Sequence, residues 1–179
     1  MLAPLIQGLD TGSMTRPVLL LDVDGVLNPF AAPRCPPGFG EYAMFVDEDP
    51  VRLCPAHGRW ITELGRLFDV VWATSWNDDA NRLLTPVLGI SPLPVLTMPQ
   101  APFRPGAKVP VIAAYAAERP AVWIDDAHTP EALDWAENRQ EPTLLITIAP
   151  EIGLSRASVD EALRWNGELE RAPRTAPCS

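Results

Sequence analysis

Four carboxylates carry the clearest chemical signal in this chain. Asp22 and Asp24 stand in LLLDVDGVLN, and Asp125 and Asp126 stand in AVWIDDA. Each pair ends an apolar run of the kind that forms a buried parallel strand. Both pairs are therefore expected at the carboxyl edge of one sheet, where open α/β sheets bind ligands. Alternation along a strand lets Asp22 and Asp24 point the same way, and Gly25 then allows a sharp turn. A carboxylate nucleophile beside a second carboxyl that shuttles a proton suits covalent phosphoryl transfer. Close carboxylates repel by about 4 kcal/mol per pair at an effective dielectric of about 20, so a cation is expected among them. Mg²⁺ is the simplest choice, since it prefers oxygen ligands and leaves room for phosphate.

Further candidates lie near strand ends or helix starts. Thr74 and Ser75 follow the apolar run DVVWA, where a hydroxyl and helix-start amides can hold a phosphate oxygen, or merely cap the helix. Lys108 opens a helix, and its ammonium can offset charge on a phosphate and on the nucleophile. Asn28, Trp76, Asn77 and Arg104 are candidate substrate contacts, as loops at this edge carry function. Cys35, Cys54 and His57 offer a partial zinc set without an evident fourth ligand, so His57 is read instead as the start of a helix beside the site entrance.

The elements that must position these groups alternate. Strands are expected over residues 18–23, 69–74, 93–97, 121–124 and 143–148. Between them, Trp60, Ile61, Leu64, Leu67 and Phe68 recur at helical spacing, as do Ala80, Leu83, Leu84, Val87 and Leu88, where Pro86 should kink or split the helix. Further helices are expected over 108–117, from Thr129 as N-cap to about Asn138, and after a capping box of Ser158 with Glu161. The expected fold is α/β, a three-layer Rossmann-like core with a parallel five-stranded sheet. Residues 28–55 break the pattern. Strand-like pieces over 42–46 and 51–54 flank an acidic turn, which reads as a small β-hairpin flap, and no insertion is long enough for a large cap domain.

Composition narrows the function classes. A chain of 179 residues suits one domain, placed at 15–170 between an N-terminal extension (1–14) and a disordered tail (171–179). The formal net charge of −9 argues against a general nucleic-acid binder, which needs Lys and Arg against phosphates, though not against a phosphorylated end held locally. Three cysteines are too few for a disulfide scaffold and point to a reducing cytoplasm. No apolar run reaches the ~20 residues of a membrane span. The pattern assigns no oligomeric state.

Taken in order, DVDGV, the strand-end Thr74, Lys108 and WIDD resemble the haloacid dehalogenase-like (HAD) superfamily over residues 16–167. LDVDGVLNP and WATSWNDDAN are similar to the small HAD domains related to those of Swiss Army Knife RNA repair proteins. The resemblance implies that Asp22 becomes an aspartyl-phosphate and that Asp24 acts as acid and then base. It implies phosphate binding by Thr74, Ser75 and Lys108. Mg²⁺ would be held among Asp22, the Val23 carbonyl, Asp24, Asp125 and Asp126. Dehalogenating relatives lack the second acid of DVDGV, and receiver domains order their Asp, Thr and Lys differently.

The expected activity is Mg²⁺-dependent hydrolysis of a phosphomonoester of unknown identity. An open site would admit polymeric substrates, a nucleic-acid end among them. The alternatives are a phosphotransferase with the same intermediate and a non-catalytic phosphate- or metal-binding module.

Overall fold

A computed structural model describes residues 16–99 and 104–172. The expected extension at 1–14 and most of the expected tail lie outside the described residues. In chain order the elements are β1 (Val18–Leu21), β2 (Gly40–Tyr42), β3 (Val51–Leu53), α1 (Pro55–Leu64) and β4 (Asp69–Trp72). A π turn at Ala80–Leu84 runs into α2 (Thr85–Leu88), and a 3₁₀ turn at Pro105–Ala107 runs into α3 (Lys108–Ala116). Then follow β5 (Ala121–Asp125), α4 (Pro130–Asn138), β6 (Thr143–Thr147) and α5 (Arg156–Arg171).

Strands β4, β1, β5 and β6 form one parallel sheet in that order, and β2 and β3 form a separate antiparallel pair. Alternation sends successive strand residues to opposite faces. Leu19, Leu21, Val70, Trp72, Val122 and Ile124 meet Ile61 and Leu64 of α1, Leu88 of α2 and Val159 of α5. Val18, Leu20, Val71, Ala121 and Trp123 meet Ile112 and Ala116 of α3 and Ala132 of α4. The result is a three-layer core with both sheet faces covered.

The expected fifth strand is a correction. Residues 93–97 touch the sheet through a single bridge, Trp72 with Val95. Pro92 and Pro94 supply no N–H for a ladder. Both backbone groups of Leu93 are taken by the Asn81 side chain, its N–H at 2.9 Å from Oδ1 and its carbonyl at 2.7 Å from Nδ2. Pro86, by contrast, splits its helix as expected, since it cannot bond back to Arg82 and the wider π turn precedes it.

Several boundaries differ from expectation. The first flap strand is Gly40–Tyr42 rather than 42–46, because residues 43–46 leave the ladder and Phe45 packs edge-on to Trp76. The N-cap of α5 is Ser155, whose hydroxyl accepts from the Ser158 N–H at 3.2 Å, so Ser158 lies inside the helix. Thr129 holds the N-cap position of α4 without a side-chain cap bond. Arg171 is helical, so the chain stays ordered into the expected tail. Among the described residues no helix is long and apolar enough to cross a membrane.

Candidate active site

The sheet brings the two acidic motifs together. β1 lies between β4 and β5, so the strand order reverses beside it, and such switch points form crevices at the carboxyl ends of strands. Leu21 pairs with Ile124, and the Asp22 N–H bonds to the Ile124 carbonyl at 3.1 Å. Asp22 continues the parity of Val18 and Leu20, and Asp125 that of Ala121 and Trp123. Both side chains therefore project toward the α3 face, where Lys108 occupies the first turn of α3.

Lys108 Nζ lies 2.6 Å from Asp22 Oδ2 and 2.6 Å from Asp125 Oδ2. All three groups are buried. The other oxygen of Asp22 accepts the Val23 N–H at 2.8 Å. Asp125 Oδ2 also accepts the Trp123 indole N–H at 3.0 Å, and its Oδ1 accepts the Ala127 N–H at 3.0 Å. Carboxylate oxygens of Asp22, Asp125 and Asp126 all lie within 4.8 Å of one another. The donor set is three hard oxygens at a buried strand edge, which fits a divalent cation such as Mg²⁺. Among the described residues, Cys35, Cys54 and His57 form no such group.

Electrostatics follow from burial and the shared ammonium. Burial pushes the Asp22 carboxyl up to about 7, opposed by Lys108 and reinforced by Asp125. Burial pulls Lys108 down, but Asp22 and Asp125 outweigh it and hold it above the ordinary lysine range. Asp126 is raised by burial and by Asp125. The DVDG turn passes directly against Asp126. Gly25 has φ +73°, and a Cβ there would sit 2.4 Å from the Asp126 carboxyl group, so a side chain at 25 would drive the two motifs apart.

Asp24 is placed differently from the other three acids. It lies outside the cation cluster. Its Oδ1 accepts the Asn28 amide N–H at 2.9 Å, and its Oδ2 accepts the Trp76 indole N–H at 2.7 Å. Of the residues expected around the metal, the side chains of Asp22, Asp125 and Asp126 thus gather, and that of Asp24 stands apart from them. The Val23 carbonyl, also expected at the metal, is engaged within the chain. It accepts the N–H groups of Val26, Leu27 and Asn28 at 3.2, 2.8 and 3.0 Å, so it points into the turn after β1.

The remaining candidates divide. Thr74 is buried one residue beyond Ala73, whose N–H bonds to the Leu21 carbonyl at 2.8 Å, and its hydroxyl accepts the Trp76 N–H at 3.4 Å. Ser75 is exposed on the wall of a cavity of about 830 Å³, shared with Asp24, Asn28, Trp76, Phe45 and the acidic flap turn. Asn28 also accepts the Arg52 N–H at 3.0 Å, which ties the flap to Asp24. Asn77 takes a scaffolding place: at φ 48°, it accepts the Met98 N–H at 2.7 Å and donates to the Ser75 carbonyl at 3.2 Å. Arg104 is exposed before the 3₁₀ turn and does not line the cavity.

Sequence reasoning missed Trp123, Phe45 and the acidic turn as parts of the site. Trp123 was findable, since it stands two positions before Asp125 on one strand and so shares its face.

The comparisons agree with this geometry. No curated protein matches the chain. The model of the family described as "HAD domain in Swiss Army Knife RNA repair proteins" matches residues 18–159. That span runs from the start of β1 into α5 and holds both acidic motifs, Thr74 and Lys108. The chain belongs to this family of HAD domains.

Proposed function

We propose that the protein is a Mg²⁺-dependent phosphomonoester hydrolase acting through an aspartyl-phosphate on Asp22. Family membership supports phosphohydrolase-type chemistry in general. The observation that carries the finer reading is the pairing of Asp22 and Asp125 on one buried ammonium, with each carboxylate 2.6 Å from Lys108 Nζ. This supports a reading in which a carboxylate able to act as nucleophile, a fixed ammonium and an oxygen cluster able to hold a cation lie together, with Asp24 lining the cavity.

In the first step an Asp22 oxygen attacks phosphorus and the bond to the leaving oxygen breaks. The carboxyl of Asp24 gives that oxygen its proton. In the second step water attacks the phosphorus of the aspartyl-phosphate, Asp24 takes the water's proton, and the bond to Asp22 breaks to release phosphate. Lys108, with Thr74 and Ser75 at the neighbouring strand end, neutralises and orients the phosphoryl oxygens. Mg²⁺ held by Asp22, Asp125 and Asp126, when bound, adds positive charge against those oxygens.

Phosphate release from p-nitrophenyl phosphate tests this reading. Wild type should turn over only with a divalent cation, and Asp22→Asn should abolish turnover while keeping the native circular dichroism spectrum. Equal turnover by the two proteins would refute it. A phosphotransferase would instead pass the phosphoryl group to an added alcohol, which product analysis resolves. A non-catalytic module would turn over neither substrate and would fail to bind beryllium fluoride with Mg²⁺.

A further inference from the structure

The cavity of about 830 Å³ opens over Asp24, the group assigned to protonate the leaving oxygen. Whatever fills it is therefore the alcohol portion of the substrate. Its volume suits a small-molecule portion. Trp76 lines the cavity, and its ring is fixed by its bond to Asp24 and by the edge of Phe45, with ring centroids 4.9 Å apart. The flap turn also lines it, with Asp47, Glu48 and Asp49 in succession, and so does Asp79, which is paired with Arg82. No Lys or Arg lines the cavity, and among the described residues none forms a salt bridge with the three flap acids. The flap acids do not form a group of three within 4.8 Å as Asp22, Asp125 and Asp126 do.

We infer that the substrate is a phosphomonoester whose alcohol portion carries an organic ammonium, held in this cavity by Trp76, Phe45 and the carboxylates of the flap. This rests on the hydrolase reading and deepens it. Spread carboxylates make a diffuse negative field that attracts an organic cation, and an aromatic wall adds cation–π attraction. The same field repels the polyanionic backbone of a nucleic-acid end. Charge thus separates the two substrate classes that an open site would otherwise admit equally.

The test compares choline phosphate with its carbon isostere, in which a quaternary carbon replaces the nitrogen, and with an oligonucleotide bearing a terminal phosphate. The expected kcat/KM ratio of charged to neutral ester is at least about tenfold at low ionic strength, and it should shrink as salt screens the flap. The oligonucleotide should fall below the neutral ester. In the Asp47→Asn/Glu48→Gln/Asp49→Asn variant the ratio should fall several-fold toward one.

A wild-type ratio near one, a preference for the oligonucleotide, or a ratio that survives in the folded variant would overturn the inference. In each of those cases Asp22-dependent hydrolysis of p-nitrophenyl phosphate persists and the hydrolase reading stands. Loss of that activity as well would remove both. Should the variant not fold, the wild-type ratio and its salt dependence decide alone.

Discussion

Trp76 Nε1 donates a 2.7 Å hydrogen bond to Asp24 Oδ2, joining the loop after β4 to the turn after β1. The indole is a donor only, so it fixes the direction of the carboxyl without competing for its proton. Trp76→Phe would keep the ring against Phe45 and remove only this bond. The cost in stability should be about 1 kcal/mol. For alkyl phosphates, whose leaving oxygen needs a proton, kcat should fall by about tenfold, a fraction of what general acid catalysis contributes. For p-nitrophenyl phosphate, whose leaving group departs as the anion, kcat should change little. Equal losses on both substrates would show that Trp76 does not act through Asp24.

Asn28 connects the flap to the same acid, donating to Asp24 at 2.9 Å and accepting from the Arg52 N–H at 3.0 Å. Asn28→Ala would strand that backbone amide and should destabilise the fold by about 1–3 kcal/mol. Hydrogen exchange should accelerate at Arg52 and its flap neighbours while β1 and β5 remain protected. Unchanged exchange at Arg52 would contradict the link.

Lys108 is the counter-ion for two buried carboxylates. Lys108→Met would leave Asp22 and Asp125 without it, and losing one member of a buried ion pair costs about 3–5 kcal/mol. The Asp22 carboxyl, already raised by burial, would then hold its proton still more tightly in the folded than in the unfolded state. Stability at neutral pH should therefore fall and be regained as pH is lowered toward the unfolded carboxyl range. Added Mg²⁺ should restore part of it at neutral pH. Urea unfolding across pH, with and without Mg²⁺, checks both effects, and a variant as stable as wild type in metal-free neutral buffer would contradict the assignment.

His57, which belongs neither to the cavity lining nor to the acidic cluster, gives a separate pH dependence. It is buried, and its Nε2–H donates to the Leu154 carbonyl at 3.1 Å, while Nδ1 has no partner. Burial lowers it from 6.5 to about 4, because a second proton would sit unpaired in the core. The unfolded chain thus takes up this proton first as pH falls. The contribution is fully present above the unfolded value and is lost between 6.5 and about 4, amounting to about 3 kcal/mol. In His57→Gln this part of the acid sensitivity should vanish. An unaltered slope of unfolding free energy against pH over that window would exclude His57 as its source.

Local rules made the central strands legible, together with the meeting of their acidic ends. Buried runs of four or five apolar residues have few alternatives to a parallel strand, and alternation fixes which side chains share a face. Residues 93–97 show where this stops. Their apolar character suggested a strand, but Pro94 has no N–H to carry the ladder past the Trp72–Val95 bridge, and Asn81 holds both backbone groups of Leu93. Asn28 and Trp76 were legible as loop residues near the site, yet their partner was not. Which acceptor an amide or indole finds depends on how two loops close on each other, and the sequence carries no period for that. The Val23 carbonyl illustrates the same limit, since its direction follows from the turn that Gly25 permits.

Covalent trapping tests the account most directly. With Mg²⁺ and a phosphomonoester labelled at phosphorus, acid quenching within a turnover should leave label on the protein. That label should be stable to acid, released by hydroxylamine, and carried on the peptide containing Asp22. It should be absent in Asp22→Asn and should accumulate in Asp24→Asn, which forms the intermediate with a good leaving group but cannot activate water. Steady turnover with no trapped label, or label on any residue other than Asp22, would contradict the mechanism.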